Sequence, residues 1–285
     1  MAETTTVSAE AAGTFDIGGS LPVRRMGFGA MRLTGEGILG PPADRREAVR
    51  VLRRALELGV DFIDTADSYG PDVSEEIIAE ALHPYPEGLV IATKGGLVRP
   101  EGRWERDARP EHLRQACEGS LRRLQVDRID VYQLHAPDPE VPFEESVGAL
   151  ADLRKEGKIR HVGLSNVSVE QIERARRIVP IVTVQNRYNL LDRKWESVVE
   201  HCTAQGIGFI PWYPLGSGDL QEGRSALGRV AERHGATPAQ VALAWLLHRS
   251  PVMLPIPGTS KVTHLEENVA AASLELSAED LEHLG

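Results

Sequence analysis

Positive charge is in deficit in this sequence, and cysteine is nearly absent. Across 285 residues, 32 Lys and Arg face 42 Asp and Glu, a net charge of −10. With no Lys/Arg cluster to offset that balance, a nucleic-acid partner is disfavoured, and anionic ligands need locally placed donors. The only cysteines, Cys117 and Cys202, both fall on predicted helices. A disulfide framework is excluded, and Cys117, on an apolar stripe, reads as a buried thiol. No run approaches the roughly 20 apolar residues of a membrane helix. Residues 1–13 are polar and lack a basic region followed by an apolar core. They read as a loose tail rather than a secretory signal, and a cytoplasmic location is expected by default. His83, His112, His161, His201, His234, His248 and His283 show no ligand spacing, so no metal site is expected.

What is present is hydrophobic content of 41% on a chain long enough for one large domain; an α/β barrel takes roughly 250 residues. Residues 14–17 and 21–23 flank Gly18-Gly19-Ser20, which predicts a hairpin able to plug a barrel floor. Residues 26–29 read as a short first strand, its glycines marking a close approach to the backbone. Asp44, with Glu47 three residues on, resembles a capping box, and Ala48, Val51, Leu52, Ala55 and Leu56 form one apolar stripe. Further helices are predicted over residues 74–82, 110–124, 143–156, 168–178, 195–204 and 237–248. Between them lie strand-like runs at residues 60–64, 89–94, 129–135, 159–164, 181–185, 208–212 and 252–256. Counted with residues 26–29, eight strands alternate with helices. Every crossover is long enough for a parallel βαβ unit. The expectation is an α/β fold: a (β/α)8 TIM barrel with an N-terminal hairpin, one domain over residues 14–285.

Three of those strands close on functional groups: Asp64, Lys94 and His135, with Tyr69 in the turn five residues after Asp64. Parallel barrels carry their sites at the strand C-termini. A free phenol, with a pKa of about 10, is too weak an acid to protonate a nascent alkoxide near neutrality. A neighbouring ammonium lowers that pKa, a carboxylate holds the ammonium in place, and an imidazole orients a carbonyl oxygen. The quartet therefore points to proton donation to a carbonyl, with an external hydride source.

The blocks Phe62-Ile63-Asp64-Thr65-Ala66-Asp67-Ser68-Tyr69-Gly70, Ile91-Ala92-Thr93-Lys94 and Tyr132-Gln133-Leu134-His135 resemble the three motif blocks of the aldo-keto reductases. The resemblance extends across the chain from about Thr14. It implies NADPH/NADP+ lying across the strand ends without a Rossmann fingerprint, and no Gly-x-Gly-x-x-Gly opens a helix here. It makes Tyr69 the general acid, Lys94 its pKa modifier, Asp64 the partner of Lys94 and His135 the group that orients the substrate. Gly29 and Met31 at the first strand end are assigned to the cofactor by the same resemblance. Ser165, Asn166 and Gln185 hold its carboxamide, Trp212 stacks on its ring, and Leu215, Gly216 and Ser217 offer donors to the pyrophosphate. Thr259, Ser260 and Lys261 meet a 2′-phosphate, with Glu267 and Asn268 at the adenine. His264 stands where the family often carries arginine, which weakens the NADPH inference because imidazole lacks a permanent fork of donors.

Arg25-Met26-Gly27-Phe28-Gly29-Ala30-Met31 and Pro257-Gly258-Thr259-Ser260 look like a bacterial branch that includes a pyridoxal reductase. The substrate pocket is expected among Met31, Tyr69, Trp104 and His135, walled by the long loops at residues 95–109 and 213–225. A second class is a cofactor-binding regulatory subunit with little turnover, such as the potassium-channel β subunits of similar scaffold. A phosphate-binding isomerase or aldolase on the same barrel leaves Tyr69 and His135 without a comparable role.

Overall fold

Short apolar runs punctuated by caps and glycines form parallel strands here, as their spacing requires. The computed structural model describes residues 7–216 and 226–285. It opens with an antiparallel hairpin, β1 (Thr14–Ile17) and β2 (Leu21–Arg24), turning through Gly18 and Gly19 at positive φ. Then come β3 (Phe28–Gly29), α1 (Arg45–Glu57), β4 (Phe62–Asp64), α2 (Val73–Leu82) and β5 (Val90–Gly95). A second small hairpin, β6 (Leu97–Val98) and β7 (Glu105–Arg106), precedes α3 (Pro110–Leu124), β8 (Ile129–Leu134), α4 (Phe143–Lys155) and β9 (Ile159–Ser165). The chain continues through α5 (Val169–Arg176), β10 (Ile181–Arg187), α6 (Glu196–Gln205) and β11 (Gly208–Trp212). It ends with α7 (Ala226–His234), α8 (Pro238–Arg249), α9 (Val262–Ala270) and α10 (Ala278–Leu284).

Among the described residues, seven strands form one parallel sheet in the order β3-β4-β5-β8-β9-β10-β11. The predicted eighth strand, residues 252–256, forms no regular ladder but closes the curl. Phe209 N–H donates to Val252 O and Leu254 N–H to Phe209 O, both at 2.8 Å, while Gly27 N–H donates to Pro255 O at 2.9 Å. Pro251, Pro255 and Pro257 have no N–H to give, which reduces this run to a bridge. The result is the α/β TIM barrel, with helices packed on its outer face.

The N-terminal hairpin plugs the floor. Ile17, Leu21 and Val23 join inward residues Phe62, Val90, Ala92, Val131, Ile210 and Leu254 in one apolar cluster. Residues facing outward from the same strands, Ile63, Ile91, Tyr132 and Leu134, enter the larger core beneath the helices. Two expectations need correction. Residues 8–13, read as part of a loose tail, instead contain a 3-10 turn, Ala9–Ala12, with both end alanines buried and Ala9 N–H bonded to Leu58 O at 2.8 Å. The Asp44 box is only half formed. Asp44 accepts from Glu47 N–H at 2.9 Å, but the Glu47 carboxylate turns to Arg50 and to Val262 N–H.

Candidate active site

Strand alternation grades the barrel interior from apolar floor to polar mouth. Along β4 the inward positions run Phe62 then Asp64; along β5, Val90, Ala92, Lys94; along β8, Val131, Gln133, then His135 just beyond the strand end. Lys94 is fully buried and donates to Asp64 Oδ1 and to Thr65 O, each at 2.7 Å. Its third proton points to Tyr69 Oη at 3.5 Å. Tyr69 meets His135 edge-on, with ring centroids 5.8 Å apart, and Ser68 Oγ lies 3.4 Å from His135 Nδ1. The structure therefore brings all four predicted catalytic residues to one place.

Burial governs the electrostatics. It pulls Lys94 down, but the Asp64 charge and then Tyr69 more than offset it, so Lys94 stays an ammonium. Tyr69 is raised above its ordinary value, chiefly by burial, with Lys94 pulling the other way. The sequence-based expectation of a net lowering is reversed in direction, because desolvating a phenolate outweighs an ammonium 3.5 Å away. The phenol therefore remains protonated and able to donate; burial makes it the weaker acid, and Lys94 is the neighbour that eases loss of its proton. Burial, reinforced by Lys94, holds His135 well below its ordinary range and hence neutral. Both cysteine thiols, remote from this quartet, are pushed up to about 12 by burial and are inert.

The quartet opens into a cavity of ≈ 510 Å³. Met31, Trp104, Ser165, Asn166, Gln185, Trp212, Leu215, Gly216 and Gly29 all line it. The strand ends at Gly29 and Gly258 come so close that a Cβ on either would reach a facing carbonyl oxygen at 2.6 Å. Ser165 and Asn166 are not helix caps: Ser168 with Gln171 makes the capping box of α5. Asn166, at φ 60°, donates to His135 O and Ser165 Oγ and accepts from Trp212 Nε1, all at 3.0 Å. Its amide thus fixes the Trp212 indole at the cavity wall. Thr259, Ser260, Lys261, His264, Glu267 and Asn268 lie outside the cavity lining, on the segment after Gly258 and on α9. Lys261 is the N-cap residue of α9, and the following N–H, of Val262, is bonded to Glu47 at 3.3 Å. Ser217 falls outside the described residues.

Sequence reasoning missed Gln133. Its Nε2 donates to Asp64 Oδ2 at 3.2 Å, beside Gln185 Nε2 on the same oxygen at 2.9 Å. Thr183 Oγ1 donates to Gln133 Oε1 at 3.3 Å, and Gly163 leaves the room, since a Cβ there would sit 2.8 Å from Gln133 Cγ. A polar residue two positions before His135 on an inward-facing face was the available signal. Arg32, Ile38 and Leu97 also line the cavity without having been anticipated.

Comparison with known proteins agrees with this arrangement. The model of the Aldo/keto reductase family matches residues 25–284. An uncharacterized oxidoreductase of Schizosaccharomyces pombe is 52% identical over 279 residues, covering 98% of this chain and 90% of that protein. Pyridoxine 4-dehydrogenase of Escherichia coli is 47% identical over 279 residues, covering 95% and 96% respectively. Among solved structures, an aldo/keto reductase from Klebsiella pneumoniae in complex with NADP and acetate superposes with a TM-score of 0.80 at 31% identity, covering 95% of this chain and 93% of that one. Motif blocks, barrel topology and a buried Asp-Lys-Tyr-His cluster converge on the same assignment: this chain belongs to the aldo/keto reductase family.

Proposed function

We propose that this protein is an NADPH-dependent carbonyl reductase with Tyr69 as general acid, acting on planar aromatic aldehydes such as pyridoxal. One observation carries the reading: the Tyr69 phenol and the His135 imidazole face the same cavity, backed by the buried Lys94–Asp64 ion pair. When bound, the nicotinamide supplies the hydride. Ser165, the last residue of β9, and Gln185, two residues before the end of β10, would hold its carboxamide together with Asn166, and Trp212 would offer a ring face. His135, neutral, orients the carbonyl oxygen by a hydrogen bond. Tyr69 Oη gives its proton to that oxygen as negative charge develops there, and Lys94 Nζ stabilises the phenolate left behind. Asp64 keeps Lys94 charged and aimed. The 47% identity to a pyridoxine 4-dehydrogenase and the apolar walls Met31, Leu97 and Trp104 support an aromatic substrate.

Oxidation of NADPH is followed against pyridoxal, a benzaldehyde, a short aliphatic aldehyde and an open-chain sugar. The expected order in kcat/KM places the planar aromatics first. Tight NADPH binding with no turnover on any carbonyl would instead identify a cofactor-binding regulatory subunit.

A further inference from the structure

Trp104 stands immediately before β7, 44% exposed, yet its indole is held edge-on to His135 with centroids 6.4 Å apart. An exposed indole on a short hairpin keeps one orientation only where a neighbour fixes it. Arg99 is that neighbour: its guanidinium lies 3.9 Å from the Trp104 ring centroid. The guanidinium is itself fixed by carbonyls of two separate loops. It donates to Ile38 O and Gly37 O, both at 3.0 Å, and to Gly102 O at 2.8 Å and 3.2 Å from its two nitrogens. Left-handed backbone at Gly37, Ile38, Glu101 and Gly102 turns both loops toward it. Beneath, a Cβ added to Gly102 would meet Leu39 Cδ1 at 2.9 Å, so the two loops are in close contact. Ile38, the residue clamped on the far side, lines the cavity with Trp104.

We propose that Arg99 is a specificity-determining positioning residue: by tying residues 37–38 to residues 99–104 it sets Trp104 as the planar wall for aromatic carbonyl substrates. The inference rests on reading the cavity as the site of carbonyl reduction. Arg99 does not contact the proton-donating cluster, whose members sit on the barrel strand ends and the turn after β4. A wall that must be ordered at each binding event weakens binding without altering the barrier from bound substrate to transition state. Lysine is no substitute, because a point charge cannot stack on the indole while donating to three carbonyls.

The test is steady-state kinetics of wild type, Arg99→Ala, Trp104→Ala and the double variant, with benzaldehyde and with propanal. Arg99→Ala is expected to raise KM for benzaldehyde about 3- to 10-fold, from the lost stacking and preorganisation, with kcat and the propanal KM little changed. Arg99→Lys does not restore the loss, and adding Arg99→Ala to Trp104→Ala costs nothing further, because both remove one device. Equal KM changes for both aldehydes, an unchanged benzaldehyde KM, or additive effects in the double variant would overturn the proposal while leaving the site reading intact. Absence of wild-type turnover on both aldehydes would overturn both. Arg99→Gln, uncharged and two bonds shorter but retaining the apolar stem, serves should the alanine variant fail to fold.

Discussion

The Asp64 carboxylate divides its work between two oxygens. Oδ1 holds Lys94, while Oδ2 accepts from Gln133 and Gln185, so the carboxylate cannot rotate away from the lysine. Gln133→Leu removes one of those donors in a fully buried setting. A hydrogen bond to a charged group contributes about 1.5–3 kcal/mol, so denaturant unfolding should show a loss of that size, and kcat should fall while KM holds. An unchanged kcat would mean that Gln185 alone suffices to orient Asp64. The four side chains gathered at the barrel mouth were legible in the sequence because each ends or follows an apolar run. Gln133 was not, because a polar side chain inside a strand announces nothing until the strand's inward face is known. The direction of the Tyr69 shift was also hidden, since burial is a property of the assembled mouth.

Helices were legible from their stripes and caps. Thr237 and Gln240 form the capping box of α8, with Pro238 in the first turn, as Thr237-Pro238 suggested. Thr237→Ala should cost about 1 kcal/mol in unfolding free energy and leave turnover unchanged, since Thr237 lies outside the cavity lining. The β6–β7 hairpin escaped notice because strands of two residues carry no periodicity. The eighth strand was over-read, because its apolar residues are interleaved with prolines that cannot join a ladder. At α9 the sequence placed donors for a 2′-phosphate, but Glu47 already occupies the first free N–H of that helix. If Lys261 binds the phosphate as the resemblance implies, Lys261→Ala weakens NADPH binding about tenfold and leaves NADH unchanged. Glu47→Gln, removing a competing anion, should do the reverse. Fluorescence titration with both cofactors checks the pair.

For the whole molecule, the interior is a gradient: an apolar plug at the hairpin, a hydrogen-bonded amide layer, and a charged mouth. That arrangement keeps His135 neutral, and it makes stability pH-dependent. The pKa of His135 in the fold lies well below the ordinary 6.5. As pH falls below 6.5, the unfolded chain gains a proton that the fold refuses, so stability declines. Asp67, whose carboxyl is raised by burial and by Glu75, acts with the opposite sign. The difference between wild type and His135→Gln cancels that contribution. Below pH 6.5 the variant should lose less stability than wild type in denaturant melts, and parallel curves would contradict a neutral buried His135. The central claim is that one phenol at the barrel mouth donates the proton while the rest of the mouth binds the cofactor. Tyr69→Phe tests it most directly, in a single-turnover measurement of NADPH binding and then of its oxidation by benzaldehyde. The account predicts an NADPH dissociation constant close to wild type and a rate of oxidation lower by about 10²- to 10⁴-fold. Oxidation at the wild-type rate in a folded, cofactor-bound variant would contradict it.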